Sequence, residues 1–454
     1  MIIDQDLEVA SLHEKLSIFW QLARNKVLLL QTAFDPSAGS PVYTVKGRYT
    51  TRGWTEWTQG FQYGIPLLIF DAIGDGEMLE TGRKSTLARM SHHISHFGVH
   101  DHGFNNLSTY GNLLRLANLS RFKASREEKA YYELALKLSG AVQARRWSRV
   151  EDGGFIYSFN GPHSLFIDTI RTCRILLLAH RLGHRMLDEH DAEINLLGRA
   201  IVHGLTTAKH AVYYGEGRDS YDVWGRVAHE SIFNMNDGLY RCPNSQQGYS
   251  GFSTWTRGLS WGMLGFSEFL EYLEEVDPDY PGMGVVKKTL LRAAKATCDF
   301  YIDHTASDGI PYWDTGAPEL HRLGRYQDLP ADPHNNYEPV DSSAAAIGAQ
   351  GLLRLGKLLG EADPDHAAKY FQAGLTTLRA LLAEPYLSTD EKHQGILLHS
   401  VYHRPNGWDY IPEGSRVPNG ESSMWGDYHM VELCLTVQKI MDGDYYTFFQ
   451  AIPK

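Results

Sequence analysis

Apolar residues recur at three- and four-residue intervals through most of this chain, the spacing that gathers side chains on one face of a helix. Stretches at 6–31, 59–74, 84–97, 107–120, 126–147, 165–183, 190–211, 254–275, 284–306, 341–361, 365–384 and 422–441 carry the pattern, which predicts about a dozen helices and hardly a strand. Long segments rich in Gly, Asn, Asp and aromatic residues separate them at 49–58, 98–105, 148–164, 212–253, 307–340 and 385–421. Short and long connections alternate. That alternation suits helical hairpins arranged in a ring, with tight turns on one face and functional loops on the other. With neither a solenoid-type repeat nor a linker poor in apolar residues, the expectation is one toroidal all-α domain spanning 1–454.

The long loops are unusually aromatic, with Trp54, Trp57, Tyr157, Phe159, Tyr249, Trp408 and Trp425 in them or near helix starts. Any one such ring can simply plug a loop against the barrel. Together on one side they suggest a sugar-binding cleft.

Composition narrows the partners. A formal charge of −11 argues against nonspecific binding to nucleic acid or anionic membrane, where a basic surface supplies the affinity. Cys173, Cys242, Cys298 and Cys434 are scattered without a CxxC pair, so neither a zinc site nor a disulfide framework is signalled. No apolar run approaches membrane-spanning length, and the acidic Met1–Asp6 start lacks the basic and apolar regions of a secretory signal; the expected location is cytoplasmic. An anionic substrate would need a local cation.

Such a cation stands in the stretch 245–262. Gly248, Ser250, Gly251 and Ser253 form a turn, after which Met263, Phe266, Phe269 and Leu270 follow helical spacing. Arg257 and Trp261 are therefore an i, i+4 pair on one face, behind a loop bearing Gln247. A guanidinium beside an indole suits an anionic sugar, although a buried Arg satisfying loop carbonyls has the same pattern.

Two carboxylates accompany it. Asp101, in His100-Asp101-His102-Gly103-Phe104, either caps the next helix, as Asn105 also could, or faces the cleft. The run lacks further ligands at metal-binding spacing, and no cofactor is implied. Asp168 interrupts the apolar run Phe166–Ile170, where burial is costly unless the carboxylate is bonded. It is either a first-turn residue favoured by the helix dipole or a proton donor whose pKa burial and a nearby carboxylate raise. Paired carboxyl groups are common in glycosidic chemistry.

These residues, with Trp57-Thr58-Gln59-Gly60-Phe61, Ile167-Asp168-Thr169, His229, Gln247-Gly248-Tyr249-Ser250, Trp255–Gly262, Asp341–Ala346 and Glu421–Tyr428, resemble glycoside hydrolase family 88, the unsaturated glucuronyl hydrolases. The matches are collinear from about 50 to 430. The resemblance implies an (α/α)6 barrel that removes a 4,5-unsaturated uronic acid from the non-reducing end of lyase-generated oligosaccharides. It makes Asp168 the general acid and base, and Asp101 its partner carboxylate. It places Trp57, His100, His229, Gln247, Arg257, Trp261, Ser422 and Trp425 at binding positions, with Arg257 as carboxylate clamp.

Two departures stand out. Phe159 occupies the loop position where the family often has Trp, and Asn419 stands where some members carry a serine that contacts a sulfated sugar. Neighbouring readings are an unsaturated rhamnogalacturonyl hydrolase, a sugar epimerase or isomerase that exchanges protons through paired histidines, and a noncatalytic sugar-binding toroid.

Overall fold

Helical runs in the computed structural model, which describes residues 1–53 and 57–452, alternate between a fully buried and a half-exposed kind. Trp54 lies outside the described residues. Gln59–Ile73, Thr256–Leu273, Ser342–Leu359 and Met424–Met441 are buried on nearly every side, as are the interrupted runs 102–118 and 169–181. Helices apolar all round belong inside a protein. Each packs on the next in chain order, and the last returns to the first. Five helices lie outside them: Gly76–Arg89, Arg126–Arg145, Leu196–His210, Met283–His304 and Pro364–Leu381. A sixth, His13–Ala33, packs against both the first and the last inner helix and completes the outer layer. This is the expected (α/α)6 barrel.

The outer helices bury single stripes. Met283–His304 buries Met283, Val286, Leu290, Ala293, Ala294, Thr297 and Tyr301, spaced three and four apart. Ion pairs join the inner layer at the barrel axis. Arg171 reaches Glu268 (2.8 Å) and Glu432 (3.1 Å), Arg174 reaches Glu268 (3.3 Å), and Arg354 reaches Glu271 (2.8 Å), all buried or nearly so. Charges removed from water this completely require one another, because deleting one strands its partner.

Several helix boundaries differ from expectation, among them the runs predicted from 6 and 190, whose α-helices start at His13 and Leu196. The run predicted at 84–97 is the helix Gly76–Arg89, capped by Asp75, followed by a 3-10 turn at Ser91–Ser95. The run predicted from 107 begins at His102, so the segment read as loop is the first helical turn, followed by a π turn at Leu107–Gly111. The run predicted from 165 starts as a strand, Ser164–Phe166, and becomes helical at Thr169. A short apolar run does not distinguish a buried strand from a helix.

Strands are more numerous than expected, all of them short and outside the helical ring. The largest sheet joins Ser164–Phe166, Glu230–Phe233 and Tyr240–Asn244 in antiparallel order, with Phe166 opposite Glu230. It fixes the chain immediately before Asp168. All four cysteines are free thiols. No described helix is long and apolar enough to cross a membrane.

Candidate active site

Asp101 and Asp168 precede the first turns of neighbouring inner helices, and neither side chain caps its helix. The same position before Ser342–Leu359 is held by Asp341, which does cap, accepting from the backbone N–H groups of Ser343 and Ala344. Asn105 is not a cap either; its Oδ1 accepts from Gly60 N at 2.8 Å. Asp101 and Asp168 both line one cavity in the loop face of the barrel. Between them lies His100, its Nε2 3.7 Å from Asp101 Oδ1 and 3.5 Å from Asp168 Oδ1. Phe159 and Phe166 meet the imidazole edge to face, with centroids 4.6 and 5.8 Å away. His102 turns away to Ser139 and the carbonyl of His96.

Backbone contacts hold the two carboxyl groups in register. Thr172 Oγ1 donates to the carbonyl of His100 at 2.8 Å, and Ile167 N donates to the carbonyl of His229 at 3.0 Å. The first helical turns lie so close that a Cβ on Gly103 would stand 2.2 Å from the Thr172 carbonyl oxygen. Only a residue without a side chain fits there.

The same cavity is lined by Gln247, Trp255, Arg257 and Trp261. Arg257 is 2% exposed, and its guanidinium lies between the rings of Trp255 (4.7 Å) and Trp425 (5.0 Å). Its Nη1 donates to Asp341 Oδ2 (2.8 Å) and the Val401 carbonyl (2.5 Å); its Nη2 donates to Gln247 Oε1 (3.1 Å) and the Tyr402 carbonyl (2.9 Å). The group offered by the sequence as a clamp is thus already bound to four protein oxygens. Because the Gln247 oxygen faces Arg257, the remaining hydrogen-bonding group of that amide is its NH₂ donor.

His229 shows a related polarity. Its Nδ1 accepts from the backbone N–H of Gln246 at 3.0 Å, which makes Nε2 the protonated nitrogen of the neutral ring. Nε2 is buried without a hydrogen-bond partner among the described residues. Burial lowers the His229 pKa to about 4, against the opposing pull of Asp168 and Glu230, and keeps the ring a neutral donor near pH 7.

Aromatic rings complete the walls. Trp57 lines the cavity and stacks on Trp425 at 5.0 Å, and Phe104 meets Trp261 at 4.7 Å. Trp425 is fully buried behind Trp57. Ser422 is elsewhere: it is fully buried, its carbonyl accepts from Thr44 N while its own N–H donates to Thr44 Oγ1, and it packs on Gly395, outside the residues lining the cavity. The sequence shows a serine beside a site motif, but the bridge between Tyr43 and Ser423 draws it to the short strand Tyr43–Val45. Asn419 bonds to Ser415 Oγ and the Val417 carbonyl.

Four lining residues escaped the motif reading: Asn160, Tyr402, His403 and Trp408. Trp408 was visible as a loop aromatic. Asn160 is placed by Glu230 Oε1, 2.8 Å from its Nδ2, a contact made by sheet pairing with no signature in sequence spacing.

A ring of helical hairpins with a carboxyl pair, a central histidine and an indole-lined cavity defines a carbohydrate-directed (α/α)6 barrel. No family model matches the chain. It is 27% identical over 407 residues to the unsaturated glucuronyl hydrolase of Bacillus sp. (strain GL1), covering 88% of this chain and 90% of that protein. It is 24% identical over 429 residues to the unsaturated chondroitin disaccharide hydrolase of Streptococcus pyogenes serotype M1, covering 92% and 90%. The crystal structure of unsaturated glucuronyl hydrolase from Streptococcus agalactiae superposes with a TM-score of 0.70 at 22% identity, over 98% of this chain and 94% of that one. Over most of its length the chain is thus similar to unsaturated glucuronyl hydrolases in sequence and in fold.

Proposed function

We propose that the chain, acting as one catalytic domain over 1–454, hydrolyses oligosaccharides that end in a 4,5-unsaturated uronic acid and releases that terminal sugar. The observation that carries this reading is the placement of Asp101 and Asp168, uncapping and facing one cavity, with His100 Nε2 within 3.7 Å of both.

The bond to be broken explains the residue types. In the terminal sugar, C4=C5 is an enol ether conjugated to the carboxylate. Asp168 gives its proton to C4, and positive charge develops at C5 and the ring oxygen. Asp168, now a carboxylate, takes a proton from water as the water oxygen bonds to C5. The hemiketal formed opens and frees the remaining saccharide, so the anomeric carbon is never attacked and carboxyl spacing does not report retention or inversion. Asp101 supplies negative charge near the developing cation, and His100 fixes the relation between the two carboxyl groups.

Binding follows from the other groups around the cavity. The Gln247 NH₂ is a neutral donor for the uronate, with Arg257 fixing that amide and contributing its field; His229, which does not itself line the cavity, supports the loop by accepting from Gln246 N. Trp57 and Trp261 offer indole surface to the ring, and Phe159 borders the leaving sugar. Trp425 acts behind Trp57.

The test is loss of the ultraviolet absorbance of the conjugated double bond on incubation with unsaturated disaccharides. Decay is expected; persistence of the band with every uronate-ended substrate refutes the reading.

A further inference from the structure

Beside the cavity lies a second groove of about 480 Å³, lined by Tyr249, Trp313, Tyr337, Arg404 and Arg416 among others. Two chain segments pass from one to the other. Gln247 lines the cavity and Tyr249 the groove; His403 lines the cavity and the next residue, Arg404, the groove. Consecutive Cα atoms are only about 3.8 Å apart, so the two spaces share a rim.

The charges in the groove are unequally committed. Glu338 accepts from Trp313 Nε1 and from Glu319 N, each at 2.8 Å, and Glu319 pairs with Arg322 at 3.4 Å. Both carboxylates are therefore engaged. Arg416 is exposed and forms no ion pair among the described residues. Arg404 forms no close ion pair among them, although its charge acts on the buried carboxyl of Asp409, and its Nε is buried without a hydrogen-bond partner. A buried guanidinium donor left unbonded is costly, and an anion is the partner it suits. Tyr249, 53% exposed, presents a ring beside them, its backbone N–H held by Asp314 at 2.8 Å.

The geometry points to a distal subsite for an anionic sugar. Resting on the uronyl-hydrolase reading, the groove binds a unit beyond the leaving sugar through a sulfate or carboxylate on Arg404 and Arg416, with Tyr249 against the sugar face. This extends recognition outward from the scissile linkage. It also gives the enzyme a preference for longer charged fragments that the cavity alone does not provide.

The experiment compares wild type with the double variant Arg404→Ala/Arg416→Ala on an unsaturated disaccharide and on unsaturated tetrasaccharides. The tetrasaccharides carry, on their outer units, sulfate only, carboxylate only, or neither. The variant is expected to keep disaccharide kinetics while KM for a charged tetrasaccharide rises roughly tenfold, the loss of a charge-assisted contact. The neutral tetrasaccharide is unaffected, and the arm that responds identifies the anion. Replacement of both arginines by Lys restores part of the affinity if charge is what counts. Unchanged KM for both charged tetrasaccharides overturns the subsite. Should wild type process no unsaturated substrate, the hydrolase reading fails separately; calorimetry with a saturated sulfated tetrasaccharide then tests the groove, and equal Kd for wild type and variant overturns it.

Discussion

Asp341 Oδ2 lies 2.8 Å from Arg257 Nη1, while Oδ1 of the same carboxyl group caps the helix that Asp341 precedes and accepts from Ser343 Oγ at 2.5 Å. Ser343 Oγ in turn accepts from the indole Nε1 of Trp425 at 3.1 Å. One carboxyl group thus ties the cation of the cavity wall to the start of another inner helix and to the ring behind Trp57. Both partners of the pair are essentially inaccessible to water, so removing either strands the other.

Asp341→Ala and Arg257→Ala are each expected to cost about 3–5 kcal/mol of stability, seen as a lowered thermal midpoint. Gln247→Ala, which removes a partly exposed amide, should raise KM and leave the midpoint nearly unchanged. If Arg257→Ala weakened binding at unaltered stability, the guanidinium would be a direct clamp and its internal bonds incidental.

Asp168→Asn should lower kcat by roughly 10²–10⁴-fold, the range of a lost general acid–base group, with circular dichroism unchanged. The amide is isosteric and makes no cap bond in either form, so the fold has no reason to respond. Turnover near wild type would remove Asp168 from the proton path.

Gly103→Ala is expected to reduce turnover strongly without touching any chemical group. The new methyl would meet the Thr172 carbonyl oxygen at 2.2 Å, a backbone atom that cannot swing aside. The two helix starts must separate, and with them Asp101 and Asp168. A variant crystal structure with an unaltered carboxyl spacing would contradict this.

Acid should destabilise the protein through its interior histidines. Burial lowers His93, His203 and His399 to about 3, and His102, His229 and His429 to about 4, from an ordinary value of 6.5. The unfolded chain then binds more protons than the folded one, so stability rises with pH. The contribution is complete above about 6.5 and is lost as pH falls from there towards 4. Thermal midpoints measured across that window should fall with acidity. In His203→Asn the fall should be shallower, since His203 is fully buried.

Much of the ring was legible because inner and outer helices differ in periodicity and composition, and long loops mark the open face. Arg257 and Trp261 do share a helix face and a cavity wall, as their spacing requires. What sequence could not display is competition between partners. The pattern around Arg257 left open whether its guanidinium meets a ligand or loop carbonyls, and only the fold shows that Asp341 and the carbonyls of Val401 and Tyr402 occupy it. Likewise Ser422 stands beside a site motif but is drawn by its bonds to Thr44 into a buried place away from the cavity lining. Asp101 and Asp168 were ambiguous between cap and cleft, and only backbone geometry separates them from Asp341.

The cavity walls come from residues 57, 101–104, 159–168, 246–261 and 402–408, while the outer layer is completed by a helix from the opposite terminus. No single hairpin holds a usable fragment of the site. The cleft is therefore complete only once Met424–Met441 seats against Gln59–Ile73 and brings Trp425 behind Trp57. Appearance of sugar binding in a refolding chain would time the closing of the ring.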